Sequence, residues 1–230
     1  MKVEDLSGAS EDSRYYTYNY VGHVYSTTER TAYGFDSVVI TQYLDGHPYR
    51  ITHQKYRTDL YKMRGRKTSE LLTDASYRPY VKQVWNYKLK KISNGTVVPP
   101  EAADCFGATW PALDSAFTLH YNPFTGQVKV RTAERYIHKD SGRVTEYFNL
   151  GDVATTSDDV HCAVEYTRSQ RNQYALPKMM TVTDANNNKL RRRAAKYNGE
   201  GLLSELIVYN DGEDTSSVFN YRVRRLDRTV

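Results

Sequence analysis

Side-chain character along this chain repeats every two residues, and a period of two is the signature of a β-strand, in which neighbouring side chains point to opposite faces. In "VKQVWNYKL", Val81, Trp85, Tyr87 and Leu89 share one side, and Lys82, Asn86 and Lys88 share the other. "QVKVRTAERY" sets Val128, Val130, Thr132 and Tyr136 against Lys129, Arg131 and Arg135. "RVTEYFNL", "VHCAVEYTR", "LLSELIVY" and "SVFNYRVRR" continue the pattern, and no long stretch carries the 3.6-residue period of an amphipathic helix. Tyrosine is the dominant aromatic, 21 residues against 6 phenylalanines, and its apolar ring and polar tip suit half-buried, wet sheet faces better than a dry core.

Turn chemistry recurs between these runs. "YNPFTGQ", "HKDSGRV", "DANNNKL" and "YNGEGLL" each place Asp or Asn a few residues before Gly or Asn and then restart the alternation. The first residue can accept hydrogen bonds from the backbone just ahead of it, and the later one tolerates positive φ, so each segment closes a hairpin. The turn residues expected to do this are Asn122 and Gly126, Asp140 and Gly142, Asp184 and Asn188, and Asn198 and Gly201. Recurrence of one strand-turn-strand unit predicts an all-β repeat architecture, antiparallel β-hairpins in an extended, curved sheet.

The rhythm breaks at "ISNGTVVPPEAADCFGATWPALDS", which holds three prolines and is expected to be an irregular insertion that covers a sheet edge. Three segments follow: strand-rich residues 1–91, the insertion at 92–115, and hairpin repeats at 116–230. Two hundred and thirty residues suffice for a sizeable core, and a formal net charge of +5 lies within the range of ordinary solvated surfaces. No apolar run approaches the roughly 18 residues that span a bilayer as a helix, and no charged-then-apolar leader follows Met1.

Chemical signals are weaker. Arg191, Arg192 and Arg193, with Lys189, Lys196 and Tyr197, could grip phosphates and stack on a base, but strand geometry splits consecutive arginines between two faces, so a solvated strand is the expectation and nucleic acid is not an expected partner. "KMRGRK", Lys62 to Lys67, reads likewise as a basic turn around a glycine. His161 adjoins Cys162 without a second ligand at metal-site spacing, and Cys105 and Cys162 could be bonded or free. Asp152, Asp158 and Asp159 could gather a calcium ion but read as an acidic loop. The pairs Asp211/Glu213 and Glu200/Glu205 could be proposed for glycoside hydrolysis, though such pairs arise by chance, and Asn94-Gly95-Thr96 reads as a turn. No nucleophile elbow or cysteine–histidine signature stands out. No catalytic, metal or cofactor residue is therefore expected.

The segment "MTVTDANNNKLRRRAAKYNGEGLLSELIVYNDG" resembles the Rhs/YD-repeat family, with Asn188 where the family usually has Gly and Asn198 where it has the Asp of Tyr-Asp. "TLHYNPFTGQVKVRTAERYIHKDSGRVTEYFNLGD" is a looser match, with Tyr121-Asn122 in place of Tyr-Asp. "RTAYGFDSVVITQYLDG" and the following "YRTDLYKMRGRK" resemble the stretch before the repeats in the B component of bacterial Tc toxins, Gly34-Phe35 and Met63-Arg64-Gly65-Arg66 standing for its "GF" and "LKGR". The resemblance implies a non-catalytic wall segment of a hollow β-shell that encloses a C-terminal toxin polypeptide, in a secreted or cell-surface bacterial protein. Its partners would be the remainder of its own shell, the enclosed toxin and other toxin-complex subunits. The autoproteolytic aspartate site of some members is not expected here, because the chain closes on "RRLDRTV". Two other readings stay open: a free-standing β-rich module binding carbohydrate or a cell surface through its tyrosines, and a β-fold glycan-active enzyme.

Overall fold

The computed structural model of the protein describes residues 2–5, 14–99, 108–138, 142–167, 176–209 and 216–220, the backbone alone at 2–5 and 216–220. Among them are fourteen strands: β1 (Lys2–Asp5), β2 (Arg14–Ser26), β3 (Thr31–Leu44), β4 (His47–Tyr56), β5 (Lys67–Asp74), β6 (Pro79–Lys91), β7 (Thr109–Tyr121), β8 (Val128–His138), β9 (Val144–Asp152), β10 (Val160–Thr167), β11 (Leu176–Asp184), β12 (Lys189–Tyr197), β13 (Leu203–Tyr209) and β14 (Ser216–Asn220). A 3-10 turn at Tyr61–Met63 lies between β4 and β5. Strand order in the sheet is chain order, from β1 to β14, and the described pairings are antiparallel. The all-β class expected from the alternation is therefore observed.

Sequential order explains the burial. Strands β1 to β7 and β10 to β14 pack mainly on their chain neighbours, so side chains there are covered largely by cross-strand partners. In β13 every residue from Leu203 to Tyr209 is half-buried, and neither face is dry. Alternation is clearest in β6, where Asn86 and Lys88 are exposed while Tyr87 is half-buried and Leu89 buried.

One true hydrophobic cluster exists among the described residues: Met63, Leu89 and Val98, with Leu60 and Tyr87 packed against it. It forms because the 3-10 turn and the start of the irregular segment both fold over β6. Lys91 donates its N–H to the Thr96 carbonyl (2.9 Å), Val98 donates to Leu89 (2.7 Å), and Lys90 bridges to Val97. Residues 96–98 thus pair along the stretch of the β6 edge that β5 leaves free, with Val98 in the cluster. The insertion expected at 92–115 is shorter, however, because β7 starts at Thr109 and pairs with Lys91 there. Pro111 and a bulge opposite Asn86/Tyr87, which leaves Asp114 unpaired, hide the alternation of that strand.

The chain falls into two compact units, and the division lies inside β8, between Glu134 and Arg135, rather than at residue 92 or 116. The first unit carries β1 to β7 and the start of β8, with Val153 returning to donate to the Arg131 carbonyl (2.9 Å). The second carries the remainder.

Candidate functional site

The feature repeated most faithfully is the hairpin turn. At Asp184 the Asn186 and Asn188 N–H groups donate to Oδ1 (2.9 and 2.8 Å), Asn187 donates to the Asp184 carbonyl (3.1 Å), and Asp184 donates to the Asn188 carbonyl (3.0 Å). At Asn198 the same bonds run from Glu200 and Leu202 to Oδ1 (3.0 and 2.9 Å) and from Gly201 to the Asn198 carbonyl (2.9 Å). The fourth residue takes left-handed φ in both, Asn187 at 63° and Gly201 at 83°. Asn188, expected to supply the left-handed position, instead closes the turn and donates its side-chain N–H to Asp184 Oδ2 (2.9 Å). Asn122 makes a version one residue longer: Phe124 and Thr125 donate to its Oδ1, and Gly126, φ 69°, donates to its carbonyl. Gly142 is also left-handed, at 78°, while Asp140 lies outside the described residues.

A fourth such turn was not anticipated. Asp74 accepts from Ser76 and Arg78 (2.8 and 2.9 Å), Tyr77 donates to its carbonyl, and Tyr77 itself sits at φ 62°. The signal was present as the tripeptide Thr-Asp-Ala, which opens both Thr73-Asp74-Ala75 and Thr183-Asp184-Ala185. After each of the three five-residue turns the ladder skips the second residue of the outgoing strand: Tyr80, Leu190 and Ser204. Turn and bulge together form one unit, used three times among the described residues.

The expected chemical groups are dispersed. Arg191 and Arg193 are exposed on one face of β12, while Arg192 is half-buried on the other, its Cζ 4.5 Å from the Tyr209 ring across the sheet. His161 stacks on Phe148 (4.3 Å between ring centroids), and Arg135 covers the other face of that ring at 4.3 Å. His161 Nε2 lies 3.3 Å from Glu146 Oε2, without hydrogen-bond geometry. Burial pushes the Cys162 thiol up, away from the reactive thiolate; Cys105 lies outside the described residues. The Asp158 carboxylate packs against Gly151, Asp152 accepts from Ala154 (3.1 Å), and among the described residues no three His, Cys, Asp or Glu side chains are grouped as a metal site. Glu205 pairs with Lys196 at 3.0 Å; Asp211 and Glu213 lie outside the described residues. Asn94 and Gly95 stand in a turn, Gly95 at φ 69°.

Concave surfaces are shallow and polar. One depression of about 350 Å³ lies over β5 and β6, lined by residues that include Arg57, Lys82, Trp85 and Asn86. Another, of about 370 Å³, is lined by Tyr61, Lys62, Arg64, Gly65, Arg66 and Thr109. No described helix is long and apolar enough to cross a membrane.

Solved structures share this fold. The crystal structure of TcdB2-TccC3-TEV matches 86% of the chain with a TM-score of 0.63 at 8% identity. The crystal structure of TcdB2-TccC3 matches 89% at 0.63 and 9%, and a structure of the Photorhabdus luminescens Tc holotoxin pore matches 86% at 0.63 and 10%. The chain spans only 15 to 16% of the length of those chains. At such identity the likeness is one of fold. No protein-family model matches the sequence, and no curated protein matches it.

Proposed function

We propose that this chain is a non-catalytic wall segment of an Rhs/Tc-type shell, which encloses a C-terminal toxin polypeptide and helps deliver it outside a bacterial cell. The observation that carries the reading is the turn-and-bulge unit, used at Asp74, Asp184 and Asn198 in a sheet whose strands follow one another in chain order. An architecture of this kind extends by adding hairpins and needs no closed core, which is what a wall requires. Supporting it are the shared fold with chains of Tc complexes and the wetness of both sheet faces. Its partners are then the rest of the shell, the enclosed polypeptide and other toxin-complex subunits.

The test is to produce the chain together with its native flanking sequence and to image it by electron cryomicroscopy, with limited proteolysis in parallel. A closed wall that incorporates these hairpins and protects a C-terminal polypeptide from protease is the expected result. A compact monomer of the 230-residue chain that binds a glycan saturably would instead make it a free-standing carbohydrate- or cell-surface-binding module.

A further inference from the structure

The basic loop between β4 and β5 is built more rigidly than a plain turn requires. Met63 is buried against Leu89 and Val98 and anchors its middle. Five backbone hydrogen bonds fix the remainder: Met63 to the Leu60 carbonyl, Arg64 to Tyr61, Arg66 to Met63, Gly65 to Arg57 and Arg57 to Arg66. Gly65, at φ 70°, permits the reversal. The depression of about 370 Å³ beside it is lined by Tyr61, Lys62, Arg64, Gly65, Arg66 and Thr109, with no carboxylate among these described residues.

Charge accounting along the loop leaves cations over. Between Arg57 and Glu70 there are five cationic side chains and two acids, and Lys62 has an interaction of its own. Asp59 is held by Arg57 through two bonds of 2.5 and 2.6 Å, and the Arg57 guanidinium keeps its carboxyl below the usual range. Glu70 is held by Lys67 (2.6 Å) and Gln54 (2.9 Å); burial works to raise its carboxyl, and those two donors outweigh burial and keep it low. Neither acid is left for Arg64 and Arg66. The Arg64 guanidinium lies 3.9 Å over the Tyr61 ring, so its flat face is occupied and its in-plane N–H donors remain available. Thr109 Oγ1, at the floor, has no hydrogen-bond partner. A fixed loop with adjacent uncompensated guanidinium groups is poised for a tetrahedral oxyanion, which accepts several charge-assisted hydrogen bonds at once.

We propose that Arg64 and Arg66 form a binding site for a phosphate or sulfate group. This inference is independent of the shell reading, since the loop and its anchor lie within the first unit. The experiment is calorimetric titration of the folded chain with inorganic sulfate, inorganic phosphate and a sulfated hexasaccharide. Expected is saturable, salt-sensitive binding of at least one probe, weakened about tenfold by Arg64→Ala and again by Arg66→Ala, with partial recovery in Arg64→Lys. Tighter binding of the hexasaccharide than of free sulfate identifies a glycan source, and preference for inorganic phosphate identifies a phosphate one. Arg191→Ala, on exposed β12, leaves binding unchanged. Equal loss in Arg191→Ala would mean a diffuse charge effect and would overturn the site, as would no binding by the parent chain. Binding seen only after Glu101→Gln and Asp104→Asn, the acids that precede Thr109 in sequence, would mean an internal carboxylate is the natural occupant and would also overturn it.

Discussion

At the scale of single residues, the turn unit depends on one side-chain oxygen. Asp and Asn serve alike at its first position, because what is needed is an acceptor three bonds from Cα that reaches the N–H groups two and four residues on. They differ in titration. Donation from Asn188 side chain and backbone, with the Asn186 N–H, holds the Asp184 carboxyl below its ordinary value in the folded chain. A depressed folded value means the stabilisation is complete above the unfolded pKa and is lost as pH falls through the folded one. Acid titration should therefore shift the amide resonances of Asn186 and Asn188 only below the ordinary aspartate range, while those of Glu200 and Leu202, held by Asn198, stay put. Asp184→Asn should keep the turn and abolish the acid response; an unchanged response would refute this. Gly22 presents a different constraint, because a Cβ there would lie 2.4 Å from Asp36 Oδ2 and 2.9 Å from Asp36 Cβ, on a backbone at φ 70°. Rotating the carboxylate cannot relieve both contacts, and Asp36 also accepts from the Thr58 hydroxyl. Gly22→Ala should cost about 1–2 kcal/mol from the left-handed backbone, before any clash, read by urea unfolding.

At the scale of elements, the hairpin and the plug make separable contributions. Asp74→Ala removes two backbone-to-carboxylate bonds from an exposed turn where water can substitute, so it should cost about 0.5–1.5 kcal/mol and speed hydrogen exchange at Ser76 and Arg78 alone. Met63→Ala empties the one described apolar cluster and should cost about 2–5 kcal/mol, with exchange rising along residues 60–66 and at Val98. The two outcomes rank the hairpin below the plug, and the reverse ranking in chemical denaturation would contradict the packing described. These elements were unequally legible in the sequence. Strand type could be read wherever period two ran unbroken, as in β6 and β8, and the turns at Asn122, Asp184 and Asn198 could be read from Asx and a later Gly or Asn. The start of β7 could not, because Pro111 and the unpaired Asp114 shift the phase of its pattern. Nor could the turn at Asp74, whose left-handed residue is Tyr77 rather than Gly or Asn. The oxyanion depression was half legible: "KMRGRK" displayed the charge, but only the folded chain shows Asp59 and Glu70 already engaged elsewhere.

At the scale of the molecule, an ordered succession of strands leaves part of the outer edge of β2 without a described partner strand. β1 pairs with β2 only at Arg14 to Thr17, so Tyr18 to Ser26 has no described strand on that side. Tyr15 to Tyr18 are half-buried, whereas Asn19 to His23 are exposed, with Tyr20 at 47% and Val21 at 49%. A long edge that carries apolar side chains and lacks a described partner strand is a template for another strand. In a shell the adjoining wall would occupy it; in the 230-residue chain alone it should recruit a second copy. Sedimentation of the purified chain should therefore show association that grows with concentration. Val21→Lys should suppress it, because a charged side chain on the edge disfavours strand addition without touching the pairing of β2 with β3. Exchange protection of the Tyr18 to Ser26 amides should rise with concentration in the parent and stay flat in the variant. A parent chain that remains monomeric with those amides fully protected would show that the edge is already covered within the chain, and an interior wall segment would not cover it in that way.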